Sequence, residues 1–411
     1  MALTAPASAF ARIAQLAADR RVHKAFKWLH LHEHQMLRWQ ANLVRVPAPP
    51  FGEGPRAQWL CERFRELGLE EVHLDAIGNA IAVRKATAHE AGDRQRVLLS
   101  AHIDTVFPPD TPIECKVEDV RIQAPGACDN GAGVVCMLAM AAALAHAGIE
   151  HGRDLMFAGN VGEEGDGNLR GMRHLYESPG FRESIAAHIV LDGAGHEVAI
   201  THALGSRRFL VTVRGPGGHS WTDAGRPNPI VALSRAIARL SEVDLTAAPR
   251  TTVNVGTIEG GTAINAIPEQ ASARLDFRSV DGEQLIRLEV ELYRAVEDAV
   301  MAANRETGHT DKDGLSFSIE EIGSRPAGQL AEDSVLYETL RAVDRHLNIR
   351  TEPRIASTDA NIPVSLGVPA VSLGGGGEGG GIHTRSEWYD ARGRVLGLRR
   401  VLLLLLALAG C

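Results

Sequence analysis

Histidines and carboxylates follow several apolar, strand-like segments of this sequence, and these residue types can hold metal ions. His102 and Asp104 follow the run VLLSA and lie two positions apart, so in extended backbone they share one face. Glu163 and Glu164 follow FAGNVG, and adjacent acids at a strand end face different directions. One acid of such a pair can bind a metal while the other stays free as a base.

Three further candidates lie in a turn and in two strand-to-loop transitions. Asp129 stands in APGACDNGAGVV, where glycines let the backbone approach a ligand closely. Asp192 ends the strand-like VLDG, and His383 follows a glycine-rich loop. Each residue alone has a simpler interpretation, since Asp129 could cap a helix and a lone histidine is more often structural. Cys128 is best interpreted as a small packed residue.

The combination of these residues predicts a metal centre. In α/β sheets, binding groups collect at the carboxyl ends of strands, and several separate strand ends here each offer a histidine or an acid. Imidazole and carboxylate suit zinc, although the same ligands also accept cobalt or manganese. Two such metals, about 3.5–4 Å apart, form a clamp for a hydrolytic reaction. The sequence therefore predicts a hydrolase with two Zn²⁺ per chain.

The order of helical and strand-like segments along the chain predicts an α/β fold. We expect a mixed, largely parallel sheet that is flanked by helices and positions these residues. Residues 8–45 and 55–67 are helical in pattern, and strands alternate with helices beyond them. After residue 205 the order becomes β-α-β-β-α-β, which is typical of a small ferredoxin-like α+β sandwich. The predicted organisation is a catalytic domain in two parts, residues 1–204 and 325–411, with an inserted domain at 205–324.

Bulk properties argue for an ordinary globular chain. The 411 residues are 45% hydrophobic with a net charge of −8, which predicts a packed core and favours neither nucleic acid nor membrane as a partner. Five irregularly spaced cysteines indicate reduced thiols and a cytoplasmic location, and the N-terminus does not have the pattern of a signal peptide. The run VLLLLLALAG is shorter than the roughly 20 residues of a membrane span, so we expect a buried terminal helix.

The chain resembles the co-catalytic zinc exopeptidases, a family that includes peptidase T, carboxypeptidase G, succinyl-diaminopimelate desuccinylase and the aminoacylases. The motifs that carry the resemblance occur in order along nearly the whole chain: HIDTVFP, CDNGAG, GEEGDGNLRG, LDG, GGHSW, NAIPEQASARLDFR, STDAN and IHTRSE. The resemblance implies that Asp129 bridges two metals. His102 and Asp192 would complete one site, and Glu164 and His383 the other.

The resemblance also implies roles around the metals. Glu163 would be the general base, Asp104 would orient His102, and His219 of the inserted domain would stabilise the oxyanion. The residues implied to contact substrate are Asn265, Arg278 and, in the glycine-rich loop, Gly376. In the family the inserted domain acts as a lid or forms a dimer, and its standard length here, about 205–324, favours a homodimer. His219 would then act in its own subunit or in the neighbouring one.

The implied substrates are short peptides, cleaved by an exopeptidase of the peptidase T type, an aminopeptidase or dipeptidase. Asp192 stands where other branches of the family carry Glu, and Asp here is similar to the aminopeptidase and dipeptidase branches. Asn130 departs from the family, in which a second acid usually follows the bridging Asp. Two alternatives stay open within the hydrolases, an N-acyl or N-carbamoyl amino acid amidohydrolase and a carboxypeptidase. A catalytically silent peptide-binding relative is a further alternative.

Overall fold

The computed structural model describes residues 8–87, 95–245, 249–309 and 313–411. The chain divides into two compact units. The first unit comprises Met1–Ala203 and Gln329–Cys411, and the second comprises Leu204–Gly328. Each is described below by itself.

The helices of the described chain match most of the predicted helical segments. They are α1 (Ala9–Ala17), α2 (Arg20–Leu31), α3 (Glu33–Val44), α4 (Gly54–Glu66), α5 (Gly131–Ala147), α6 (Arg170–Glu177), α7 (Pro229–Ser241), α8 (Gly282–Thr307), α9 (Val335–Leu347), α10 (Asn361–Ser365) and α11 (Arg394–Leu408). The helical region predicted at 8–45 is three helices. Asp19 lies between α1 and α2. Its carboxylate accepts hydrogen bonds from the backbone N–H groups of Arg21 and Val22 and so caps the N-terminus of α2.

The strands complete the two units. They are β1 (Glu70–Leu74), β2 (Ala80–Arg84), β3 (Arg96–His102), β4 (Lys116–Glu118), β5 (Arg121–Gln123), β6 (Asp154–Asn160), β7 (Ile185–Leu191), β8 (Val198–Ala203), β9 (Gly205–Arg214), β10 (Gly218–His219), β11 (Thr251–Gly260), β12 (Ala266–Ile267), β13 (Gln270–Ser279), β14 (Ser316–Arg325), β15 (Gly328–Gln329), β16 (Glu352–Ala356), β17 (Ala370–Leu373), β18 (Glu378–Gly380) and β19 (Trp388–Asp390).

The main sheet of the first unit has the order β1-β2-β6-β3-β7-β17-β8-β15, with β16 paired to β8. Its centre is parallel, since β3 runs parallel to β6 and β7, and β7 runs parallel to β17. β2 is antiparallel to β6, β1 is antiparallel to β2, and β8 is antiparallel to β17. The predicted mixed, largely parallel sheet is confirmed. Its parallel strands deliver their carboxyl ends to one edge, where the candidate residues follow.

Two helices without an exposed polar face fill the core of the first unit. Nearly every residue of α5 is buried, and so is the leucine run of α11. The predicted buried terminal helix is therefore confirmed. The buried positive charge of Arg400 in α11 is balanced by Asp344 of α9, whose two carboxylate oxygens accept hydrogen bonds from the guanidinium group. Among the described residues, no helix is long and apolar enough to cross a membrane.

The second unit is an α+β sandwich. Its antiparallel sheet has the order β11-β13-β9-β14, and α7 and α8 pack on it through a shared apolar core. The chain order β9-α7-β11-β13-α8-β14 is the predicted β-α-β-β-α-β pattern. A two-stranded ribbon, β10 with β12, stands apart from this sheet.

Candidate metal centre

Three of the five predicted ligands lie at or just after the carboxyl ends of parallel strands of the main sheet. His102 is the last residue of β3, Glu164 follows β6, and Asp192 follows β7. Asp129 lies in the turn before α5. His383 reaches the group from the loop between β18 and β19. The structure brings all five side chains together in the first unit. Two overlapping groups contain them, His102 with Asp129 and Asp192, and Asp129 with Glu164 and His383, and within each group the ligand atoms lie within 4.8 Å of one another. A third such group joins His102 and Glu164 to Glu163.

The Asp129 carboxylate lies between the two halves of this group. Its Oδ1 is 3.1 Å from Nε2 of His102, and its Oδ2 is 3.1 Å from Nε2 of His383. On the first side, Asp192 Oδ1 is 3.8 Å from the same His102 nitrogen. On the second side, Glu164 Oε1 is 3.1 Å from Nε2 of His383. One carboxylate oxygen faces each half, which is the arrangement a bridging ligand requires.

Asp104 supports both His102 and the turn that carries the two glutamates. Its Oδ1 lies 3.4 Å from Nδ1 of His102, on the ring side away from Asp129. The same carboxylate accepts the backbone N–H groups of Glu163 and Glu164, at 3.0 and 2.8 Å. Asp104 is fully buried, so it holds His102 and the two adjacent acids in one rigid arrangement.

Glu387 was not predicted as a site residue, although it lies in the quoted motif IHTRSE. It is fully buried. Its Oε1 accepts the backbone N–H groups of Cys128 and Asp129, and its Oε2 accepts that of Gly126. These bonds, 2.7–2.8 Å long, fix the turn from which the Asp129 carboxylate projects.

Asn130 was noted only as a departure from the family, and its side chain connects two ligand-bearing loops. Its Oδ1 accepts the backbone N–H groups of Gly133 and Gly193, and its Nδ2 donates to the carbonyl of Leu191. Leu191 and Gly193 flank Asp192. Asn130 therefore caps α5 and fixes the backbone on both sides of that ligand. An amide does both because it donates and accepts, whereas an ionised acid only accepts.

The donor set fits a pair of divalent cations. Two imidazoles and three carboxylates converge. Oδ1 of Asp129 is buried and lies 3.1 Å from Nε2 of His102, but no described residue makes a hydrogen bond of good geometry to it. Buried polar atoms are normally satisfied, so an unpartnered carboxylate oxygen that faces an imidazole indicates a ligand for a cation. Imidazole and carboxylate together suit zinc.

Burial and contacts between charged groups shift the pKa values of three of the candidate ligands. Burial and then the neighbouring Asp129 raise the pKa of Glu164 to about 7. The hydrogen bond to Asp129 raises the pKa of His383 to about 9. Burial raises the pKa of Asp129, but its contacts with His102 and His383 outweigh burial and hold that pKa well below its usual range. Contacts between the carboxylates and the two histidines thus set the charge state of this group.

Metal binding is expected to release protons and to strengthen as pH rises. A metal ligand must be deprotonated, and His383, with its pKa raised to about 9, carries a proton at neutral pH. A bound metal ion must displace that proton, so affinity is expected to increase with pH up to about 9. Calorimetric titration at pH 7 in buffers of different ionisation enthalpy measures the released protons. His383→Ala should reduce that number, and an unchanged affinity between pH 6 and 9 would contradict the coupling.

Two of the predicted residues of the second unit lie close together, and a third does not. The ring of His219 accepts the backbone N–H groups of Trp221 and Thr222 at Nδ1, so in the neutral ring Nε2 carries the proton and can donate. The carbonyl of Asn265 accepts the N–H of Ser220, beside His219.

Arg278 lies elsewhere in that unit. β13 begins at Gln270, five residues after Asn265 in the chain. Arg278 lies eight residues further along this strand, a separation from Gln270 of about 27 Å at the usual rise per residue. Its Nε donates to Asp276. Its predicted contact with substrate stays a prediction and gains no support from the grouping of His219 and Asn265.

Gly376 has a packing role in the first unit. It is buried at φ +81°, donates its N–H to the carbonyl of Gly195 and accepts the hydroxyl of Tyr389. A Cβ here would overlap the backbone carbonyl of Arg394. This contact is a structural reason for glycine, and its role as a substrate contact stays a prediction.

Gly376→Ala is expected to destabilise the fold by about 1 to 3 kcal/mol more than Gly393→Ala. Both residues have a left-handed φ, but a Cβ on Gly393 meets open space, so the difference isolates the overlap with Arg394. Urea denaturation of the two variants measures it. Equal free energies of unfolding would show that the loop moves to accommodate the methyl group.

Comparison with known proteins agrees with this centre. The model for peptidase family M20/M25/M40 matches residues 98–407. The succinyl-diaminopimelate desuccinylase of Corynebacterium glutamicum is 28% identical over 343 residues, which are 82% of this chain and 86% of that protein. Aminopeptidase PepT from Bacillus cereus has a TM-score of 0.73 at 22% identity, covering 92% of this chain and 99% of that chain.

A tripeptidase from Staphylococcus aureus has a TM-score of 0.74 at 22% identity, covering 92% of this chain and 98% of that chain. The two structural likenesses confirm the fold, and the family match confirms the resemblance predicted from the motifs. The chain therefore belongs to peptidase family M20/M25/M40, and it is a metal-dependent hydrolase of the peptidase and amidohydrolase type.

Proposed function

We propose that the chain is an exopeptidase that cleaves short peptides, with two Zn²⁺ held by His102, Asp192, Glu164 and His383 and bridged by Asp129. The observation that carries the proposal is the Asp129 carboxylate, which directs one oxygen to each half of the ligand group. Cobalt or manganese would fit the same oxygen and nitrogen donors.

The residues around these ligands supply a coherent hydrolytic mechanism. Zn²⁺ in the two positions would supply Lewis acidity, which polarises a carbonyl and acidifies water. Glu163 is buried, and its backbone N–H is held by Asp104. Its carboxylate takes the proton of the attacking water and delivers it to the leaving amine. His219 donates from Nε2 to the carbonyl oxygen as that oxygen gains charge.

The choice of peptides over N-acyl amino acids rests on two considerations. The solved structures with a similar fold include an aminopeptidase and a tripeptidase. The ligand after β7 is Asp192, as in the aminopeptidase and dipeptidase branches that the motifs resemble. The desuccinylase of Corynebacterium glutamicum keeps deacylation as the second candidate.

A substrate panel tests this function. The protein is loaded with zinc, cobalt or manganese and offered di- and tripeptides beside N-acetyl, N-succinyl and N-carbamoyl amino acids. Mass spectrometry of the products then identifies the terminus that is cleaved. We expect single residues to be released from peptides. Cleavage of N-acyl or N-carbamoyl compounds alone would make the chain a deacylase, and release from the carboxyl end would make it a carboxypeptidase.

We also propose that the chain forms a homodimer through its second unit. β11 is an edge strand of the sheet β11-β13-β9-β14, and its Ile258 side chain is 53% exposed. An edge strand leaves backbone groups available for pairing with another chain.

Analytical ultracentrifugation tests the dimer. Mixing His219→Ala with Glu163→Gln subunits then tests the histidine, because activity returns in the mixture only if His219 serves the neighbouring subunit.

A further inference from the structure

A cavity of about 240 Å³ opens beside the candidate ligands Asp129 and Asp192, and it belongs entirely to the first unit. Most of its wall is aliphatic. The apolar side chains that line it are Ala194, Val198, Ile200, Ala356, Leu373 and Ile382. This cavity is called the aliphatic pocket below.

The sheet fixes the wall of the aliphatic pocket. Val198 and Ile200 alternate along β8 and are half-buried, while Ala199 between them is fully buried in the core on the opposite face. β8 is held on both sides, antiparallel to β17 and parallel to β16. Because strands on both sides anchor β8, the pocket is a preformed feature of the first unit.

The charge distribution of the aliphatic pocket selects against charged groups. Among the described residues that line it, the charged side chains are the carboxylates of Asp129 and Asp192. Bound metals would neutralise these two, and no arginine, lysine or histidine of the lining would pair with an anion. Burying an unpaired charge is costly, so a carboxylate group of a substrate is disfavoured there.

The size of the aliphatic pocket suits an amino-acid side chain. An apolar cavity of about 150 Å³ can already hold benzene. A cavity of about 240 Å³ therefore has room for the side chain of leucine, methionine or phenylalanine. Along a peptide, the group on the acyl side of the scissile bond is separated from the reacting carbonyl carbon by one bond fewer than the group on the amine side. The acyl-side group is thus the one best placed to enter a pocket that begins at the ligands.

We propose that the aliphatic pocket receives the side chain on the acyl side of the scissile bond and that this side chain is uncharged and aliphatic or aromatic. The inference rests on the proposed function, since it concerns the same catalytic centre. It distinguishes this chain from a desuccinylase, whose acyl group ends in a carboxylate.

The test compares Leu-Gly, Gly-Gly and Glu-Gly with the zinc-loaded protein and with its Ile200→Trp variant. In the wild-type protein, kcat/KM for Leu-Gly should exceed both other values by about tenfold or more. Tryptophan at position 200 fills the pocket, so the ratio of Leu-Gly to Gly-Gly should fall by about tenfold. Ile355→Trp is the matched control, because Ile355 is 55% exposed on the adjacent strand and does not line the pocket.

A binding measurement separates failure of this inference from failure of the proposed function. Calorimetry with free leucine and free glutamate reports the pocket even if no peptide is cleaved. A preference for leucine that Ile200→Trp removes supports the pocket. Equal use or binding of leucine and glutamate overturns it, as does an Ile200→Trp variant that affects all three dipeptides equally. Absence of any amide cleavage by the metal-loaded protein overturns the proposed function.

Discussion

Replacing Glu163 by glutamine is expected to lower kcat by about 10²- to 10⁴-fold while metal content stays near two per chain. Glutamine has the shape of glutamate but cannot take a proton from water. Glu163 is 6% exposed, and its backbone is fixed by Asp104, so the substitution should leave the site geometry in place. Steady-state kinetics and metal analysis of the purified variant measure both quantities.

A control in the same loop makes this result specific. Asp166 is exposed, and Asp166→Asn removes a nearby negative charge without touching the candidate ligands. We expect that variant to keep its kcat within a few-fold. If Glu163→Gln retained its kcat, Glu163 would not be the base. If that variant instead lost one metal, Glu163 would be a ligand, a possibility that its proximity to His102 and Glu164 makes worth testing.

Removing Glu387 is expected to weaken both metal binding and the fold, although this residue is not itself a candidate ligand. Glu387→Ala leaves the backbone N–H groups of Gly126, Cys128 and Asp129 without their acceptor. Each unsatisfied buried group costs about 1–3 kcal/mol, so the free energy of unfolding should fall by roughly 3 kcal/mol or more. Loss of a group that orients a ligand typically weakens metal affinity by about 10- to 100-fold.

Glu387→Gln provides the graded comparison. A glutamine oxygen at the Oε1 position keeps the bonds from Cys128 and Asp129, but its NH₂ group cannot accept the N–H of Gly126. We expect zinc affinity and stability between those of the wild-type protein and Glu387→Ala. Zinc titration against a competing chelator and urea denaturation measure them. An alanine variant with wild-type zinc affinity would show that the turn holds Asp129 without this carboxylate.

Much of the candidate site could be predicted because the end of a strand can be recognised from a few adjacent residues. VLLSAH, FAGNVGEE and IVLD each combine an apolar run with a polar residue directly after it, and parallel strands place such residues at one edge of a sheet. The same local patterns predicted the α/β layering, the β-α-β-β-α-β unit and the buried terminal helix. The single helical region at 8–45 was less accurate, because side-chain capping divides it.

The sequence by itself determined the candidate ligands, their order and the class of chemistry, since each depends on a few adjacent residues. Tertiary structure alone decided which groups support them. Glu387 holds a turn that precedes it by 258 residues, and the aliphatic pocket combines segments from Asp129 to Ile382. Periodicity describes which face of an element is apolar, but it does not describe which distant segment packs on that face. Likewise, β13 carries Arg278 eight residues along the strand from Gln270, which is five residues after Asn265 in the chain.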